Sequence, residues 1–320
     1  MRKTAFIAAI FLLMGFAYST LYAKTPKLSN PKASKEAKQL YKTLLKYHRE
    51  KKTLSGQMWV PWGIDEIEYV HNTTGKYPAV RGHDLIHDRS NQREIDLLIE
   101  WYRRGGIPTL MWHWGAPTKG EGYEQSKMTI DVAQCFVEGS PENKAMWTDL
   151  KRVADWLTLL RDAKVPVLWR PMHEFDGKWF WYGKGGGELF VKQWVTMYDY
   201  FTKERRLDNL VWVLCHSGEL DTRYIVDHKY FDICGPDTYS KDAQRKLYYD
   251  IEGIYGKDKM IPLHECGTLP LPEECLQNRT PWIWWMLWHT RHVQQHDKEE
   301  LKRIYNHPQV ITLDELEWKK

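Results

Sequence analysis

The feature that most constrains this 320-residue chain is a series of eight short apolar runs with helical patterns between them. The runs are Thr53–Gln57, Tyr77–Gly82, Ile107–Trp114, Val165–His173, Leu210–Ser217, Phe231–Asp237, Met260–Cys266 and Trp282–His289. Most do not alternate apolar with polar residues. Stretches such as VPVLW, LVWVLC and WIWWMLW suit strands covered on both faces, as in a parallel sheet. Helical patterns fill the gaps. Lys32–Lys51 precedes the first run, and Asn91–Arg104 stops at Gly105-Gly106. Pro141–Ala163 begins on a Ser140-Pro141 cap pair, and Glu188–Arg205, Asp242–Tyr255 and Asp297–Tyr305 complete the set. Repeated strand–helix alternation implies right-handed βαβ units, and eight of them close into a barrel. The expected fold class is α/β, a (β/α)8 TIM barrel in a single domain. An open doubly wound sheet fits less well, because no glycine-rich phosphate loop follows the first strand.

In such a barrel the chemistry sits at the carboxyl ends of the strands. Those ends read Trp112-His113-Trp114, then Arg170-Pro171-Met172-His173-Glu174, then Pro236-Asp237-Thr238-Tyr239, His264-Glu265-Cys266-Gly267 and Trp288-His289. Polar and titratable groups from five strands therefore meet on one face. Glu174 and Glu265, at the ends of strands four and seven, form a candidate pair of catalytic carboxyls. Retaining glycoside hydrolysis needs such a pair about 5–5.5 Å apart, one to protonate and one to attack. The competing reading makes each Glu a buried ion-pair partner, with Arg170 as an available cation. The strand-end histidines 113, 173, 264 and 289 raise the question of a metal. No His-x-His pair follows the first strand and no His-Glu-x-x-His helix occurs, so no metal and no cofactor are expected.

Composition narrows the ligand. Seventeen tryptophans are many for this length. Trp59, Trp62, Trp112, Trp114, Trp179, Trp181 and Trp288 stand beside polar residues at run ends, where flat rings suit sugars. The formal charge of +4 includes Arg2 and Lys3, so the remainder carries no electrostatic footprint for nucleic acid. Five scattered cysteines do not make a disulfide framework, and an odd count leaves at least one free thiol. Met1-Arg2-Lys3, an apolar run from Ala5 to Tyr18 and small residues up to Ala23 have the order of a secretory signal peptide. The run is shorter than the ~20 residues of a spanning helix. The expectation is a leader over residues 1–23, a catalytic domain over 24–320, a secreted or periplasmic address, no membrane span in the mature chain, and a monomer.

The stretch WRPMHEFDGKWFWYG, Trp169 to Gly183, resembles the acid/base segment of glycoside hydrolase family 26, with its Arg-Pro-x-His-Glu core followed by Gly and Trp-Phe-Trp. Ser55-Gly56-Gln57, Trp112-His113-Trp114, Gly235–Tyr239 and Glu265-x-Gly267 fall in the family's order. The resemblance implies a clan A (β/α)8 barrel acting with retention, most often on β-1,4-mannan. It implies Glu174 as acid/base and Glu265 as nucleophile. It also implies His173 hydrogen-bonded near the acid/base, Tyr239 orienting the nucleophile, and His113, Trp179 and Trp288 on the sugar. Trp285 is a further platform candidate, because the Trp-rich eighth strand can be registered more than one way. Two departures stand out: Asp176 replaces the family's common Asn, and His289 replaces the Arg of some mannanases. The same family includes β-1,3-xylanases and mixed-linkage glucanases. Readings from other classes are a non-catalytic glycan-binding barrel and a metal-dependent hydrolase.

Overall fold

The computed structural model describes residues 27–86 and 90–318. The leader expected over residues 1–23 lies outside these. Eight parallel strands close into a barrel: β1 Gly56–Met58, β2 Val80–Asp84, β3 Ile107–Trp112, β4 Val167–Pro171, β5 Leu210–His216, β6 Ile233–Thr238, β7 Leu263–Cys266 and β8 Trp285–Leu287. Gln57 pairs with Leu287 to complete the ring. Each of the eight expected runs contributes one barrel strand.

Alternation along the strands builds two cores. Val211, Val213 and Cys215 of β5 point into the barrel, where they join Met58, Met111, Leu168 and Met286. Leu210, Trp212 and Leu214 point outward, into the layer between barrel and helices. This is the inside–outside period of a closed sheet. The helix Lys35–Arg49 belongs to the first core and plugs the amino-terminal end of the barrel. Its start is fixed by Ser34, whose Oγ accepts the Ala37 N–H at 3.1 Å. Ser140 caps Pro141–Asp162 in the same way, accepting from Asn143 N–H at 3.0 Å.

Two features differ from expectation. The first run splits: Thr53–Leu54 leaves the barrel and pairs in parallel with Val310–Ile311. A further helix, Glu66–Thr74, is capped by Asp65 and ended by Gly75 at φ 76°. The tryptophan reading also changes. Ten of the indoles, including Trp112, Trp114 and Trp181, are less than 2% exposed. The unusual count therefore belongs mainly to the packing between barrel and helices, where large rings bury the most apolar area. All five cysteines are free thiols. Among the described residues no helix is long and apolar enough to cross a membrane.

Candidate active site

The carboxyl ends of the strands open into a cleft of about 1030 Å³. Its lining includes His113, Glu174, Trp179, Tyr239, Glu265 and Trp288, brought together from the carboxyl ends of five different strands and the loops that follow them.

The two central carboxyls are positioned differently. Asp237 and Glu265 sit side by side in register on β6 and β7. Arg170 of β4 reaches across the barrel to both, with Nη1 2.8 Å from Asp237 and Nη2 3.0 Å from Glu265. All three are buried. Burial opposes the Arg170 charge, but Asp237 and Glu265 more than offset it and hold the guanidinium above its ordinary value. The second oxygen of Glu265 accepts the Tyr239 hydroxyl. Both oxygens of Glu265 are thus hydrogen-bonded, and the carboxylate has little freedom to rotate. The Glu-x-Gly spacing has a steric cause here. A Cβ on Gly267 would lie 2.5 Å from Cδ1 of Tyr239, so only glycine lets that ring reach Glu265.

Glu174 stands beyond the end of β4, at φ 53°. Its Oε2 accepts the Trp179 indole N–H at 2.9 Å. Gly177 makes this reach available, since a Cβ there would sit 2.1 Å from the Trp179 ring. Burial, reinforced by the neighbouring charge of Glu265, pushes the Glu174 carboxyl up to about 8, against the opposing influence of Arg170 and Trp179. One oxygen each of Glu174, Asp237 and Glu265 lie within 4.8 Å of one another. Three such carboxylates could in principle hold a cation, but the Arg170 guanidinium already lies on two of them.

His113 donates its backbone N–H to Asp84 at 3.0 Å, and its Nδ1 bonds the other oxygen of the same carboxylate. Nε2 is left as the ring's remaining hydrogen-bonding atom. Asp84, which also lines the cleft, escapes a reading based on apolar runs because it follows the last apolar position of its strand. His173 is fully buried, and desolvation lowers its pKa well below the usual range. Its ring packs edge-on against His113 at 4.6 Å and tilted against Phe180 at 5.0 Å. No hydrogen bond from this ring to Glu174 is present among the described residues, and the ring contacts given for it are aromatic. Trp288 reaches the cleft, 6.4 Å from the His113 ring. Trp285 does not. Its side chain is 1% exposed, packs on Tyr305 and borders a separate pocket with Pro270 and Cys275. Strand alternation explains this: Trp284 and Met286 face the barrel interior, whereas Trp285 and Leu287 face the helices. Burial pushes His289 down to about 4, so it is a neutral side chain at neutral pH. Asp176 points inward and is 2% exposed.

A family model described as glycosyl hydrolase family 26 matches residues 29–315. Mannan endo-1,4-beta-mannosidase B of Piromyces sp is 31% identical over 91% of this chain and 54% of its own length. The mannan endo-1,4-beta-mannosidase of Thermothelomyces thermophilus is 31% identical over 91% of this chain and 63% of its own. The chain thus spans between half and two thirds of these relatives. Among solved structures, GH26A from Muricauda sp. MAR_2010_75 superposes with a TM-score of 0.83 at 31% identity, covering 90% of this chain and 99% of that one. A beta-mannanase from a symbiotic protist of the termite Reticulitermes speratus, complexed with gluco-manno-oligosaccharide, gives 0.81 at 29%, covering 91% and 98%.

Proposed function

Because the chain belongs to glycosyl hydrolase family 26, we propose that it is an endo-acting β-mannanase, cleaving β-1,4-mannosidic bonds in mannan, galactomannan or glucomannan with retention of configuration. The observation that carries the reading is the pair of carboxyls at the cleft floor, with oxygens of Glu174 and Glu265 within 4.8 Å. That separation suits direct attack and leaves no room for the water that an inverting pair, about 6.5–9.5 Å apart, must admit.

In this reading Glu265 attacks the anomeric carbon. Its two fixed oxygens supply the alignment that a displacement needs, and the Arg170 guanidinium lies 3.0 Å from one of them. Glu174 holds a proton at neutral pH, since burial and Glu265 raise it to about 8. It protonates the leaving oxygen, and the proton moves from Oε to the departing sugar as the glycosyl–Glu265 bond forms. Once Glu265 has become a neutral ester its charge no longer opposes ionisation of Glu174, which readies Glu174 to deprotonate water in the second step. Trp179 and Trp288 would pack on the sugar, and His113, oriented by Asp84, would hydrogen-bond to it. Export through the leader over residues 1–23 belongs to the same proposal, and amino-terminal sequencing of the exported protein tests it.

Glu174→Ala should lose most activity on mannan while keeping the first step on aryl glycosides with activated leaving groups. Equal loss on both would remove the acid role from Glu174. For Glu265→Ala, azide should restore turnover with inverted product, and a fully active variant would contradict the nucleophile assignment. A panel of galactomannan, glucomannan, β-1,3-xylan and mixed-linkage glucan, with product sizes resolved, tests substrate and cutting mode. The alkaline limb of kcat/KM should fall near pH 8, the value to which Glu174 is raised.

A further inference from the structure

Glu174 is carried on a turn that the backbone does not favour by itself. Met172 and Glu174 have φ of 48° and 53°, in the left-handed region that side-chain-bearing residues rarely enter. Such a conformation persists only where the surroundings over-determine it. One tether is the Glu174 N–H, which donates to the Cys215 carbonyl at 2.8 Å. The other is Asp176, two residues further along in the short 3-10 turn Phe175–Gly177.

Asp176 is tied from three directions. Its Oδ1 accepts the Ser217 N–H at 2.7 Å. Its Oδ2 meets His216 Nδ1 at 2.6 Å and accepts the Asp221 N–H at 3.2 Å. His216 Nε2 in turn lies 2.7 Å from the Tyr255 hydroxyl. The donor inventory fixes the pattern. Backbone N–H groups occupy both oxygens, so the carboxylate acts only as acceptor, Nδ1–H donates to it, and Nε2 accepts from Tyr255. The chain of contacts joins the helix Gln244–Tyr255, the end of β5 and the turn after β4. None of Asp176, His216 and Tyr255 is among the side chains lining the cleft.

We propose that Asp176 is a positioning residue for Glu174: held by His216 and Tyr255, it fixes the strained turn that carries the carboxyl and places a second carboxylate behind it. This rests on the reading of Glu174 as the acid/base. An asparagine at this position has a single accepting oxygen, so it would keep the Ser217 contact, lose the Asp221 one and carry no charge, whereas the aspartate accepts at both oxygens and adds charge. That charge acts on Glu174 in the same direction as Glu265, as a smaller contribution than burial or Glu265 itself. Other charged and titratable groups surround the pair. Glu265, Asp237, Tyr239 and Arg170 face Glu174 from the barrel strands and their ends, and Tyr182 faces it from the following helix. Asp221, paired with Lys178 at 2.9 Å and with Arg223, faces Asp176 from the loop after β5. Replacing Asp176 by Asn leaves all of these in place, so a shift of the alkaline limb reports its charge, while a fall in kcat with no shift reports the lost accepting oxygen.

The test compares wild type, Asp176→Asn and Tyr255→Phe on a β-manno-oligosaccharide and on an aryl β-mannoside with an activated leaving group. In Asp176→Asn the alkaline limb of kcat/KM for the oligosaccharide should move to lower pH by about half a unit, with KM little changed. A folded Asp176→Asn enzyme whose limb stays in place overturns the charge role. Should that variant fail to fold, Tyr255→Phe carries the test, because it removes one hydroxyl remote from the cleft. It should lower kcat several-fold on the oligosaccharide and leave the aryl substrate unaffected, and equal effects on the two substrates overturn the proposal. Glu174→Ala serves as the control. If it shows no selective loss on the poor leaving group, the acid assignment itself falls; if it does and the other two variants behave as wild type, only the role of Asp176 falls.

Discussion

Glu174 and Arg170 carry opposite electrostatic burdens, and each makes a stability prediction. The folded Glu174 carboxyl is raised from 4.5 to about 8, so the folded state prefers the protonated acid. Its favourable contribution is complete below pH 4.5 and is lost as pH climbs to about 8. Gln cannot ionise and escapes that loss. The melting temperature of Glu174→Gln minus that of wild type should therefore widen across this window and level off above it, and a pH-independent difference would count against the buried acid. Arg170→Met leaves Asp237 and Glu265 facing each other without a cation. Breaking a buried ion pair in this way costs about 3–5 kcal/mol, which denaturant unfolding at pH 7 would measure. Single residues were partly legible beforehand. Glu174, Glu265 and Tyr239 stand where strand-end reasoning puts them. Arg170 was read as an available cation for the glutamates and does pair with Glu265, but Asp84 and the second contact of Arg170 with Asp237 do not follow, because a side chain's reach across the barrel depends on strand tilt rather than on spacing along the chain. The tryptophans misled for a related reason: an indole beside a polar neighbour at a run end looks the same whether it faces cleft or helix.

At the level of elements, the segment after β4 combines a strained turn, a glycine and an aromatic in eight residues, Met172 to Trp179. Gly177→Ala would drive a methyl group into the Trp179 ring and break its hydrogen bond to Glu174. We expect kcat to fall on the order of tenfold or more, since small misplacements of a catalytic group are costly. The melting temperature should change little, because Trp179 stands at the cleft and can swing outward; steady-state kinetics with thermal denaturation checks both. Strands and long helices were readable because their apolar patterns persist over several residues. The helix Glu66–Thr74 was not, although Asp65 and Gly75 mark its ends. Its sequence EIEYVHNTT carries too few apolar positions to stand out. The pairing of Thr53–Leu54 with Val310–Ile311 involves two residues a side, too short for any period to register.

For the whole molecule, the far end of the barrel is a structural closure separate from the chemistry. Trp318, 4% exposed, donates its indole N–H to Gly105 O at 2.7 Å just ahead of β3. Lys46 of the plugging helix pairs with Glu317 at 3.0 Å, and the Tyr47 hydroxyl donates to Glu315 O. Trp318→Ala should lower stability by about 3 kcal/mol and leave kcat and KM as they are, which unfolding and kinetic measurements on one preparation would show. These ties also bring residue 318 beside the helix that opens the described chain. Both ends of the catalytic unit thus leave from the side opposite the cleft. A second module appended to either end would hang beneath the barrel and leave the groove open along its length, and a short peptide joining the two ends would give a circular permutant whose cut could be placed in a surface loop.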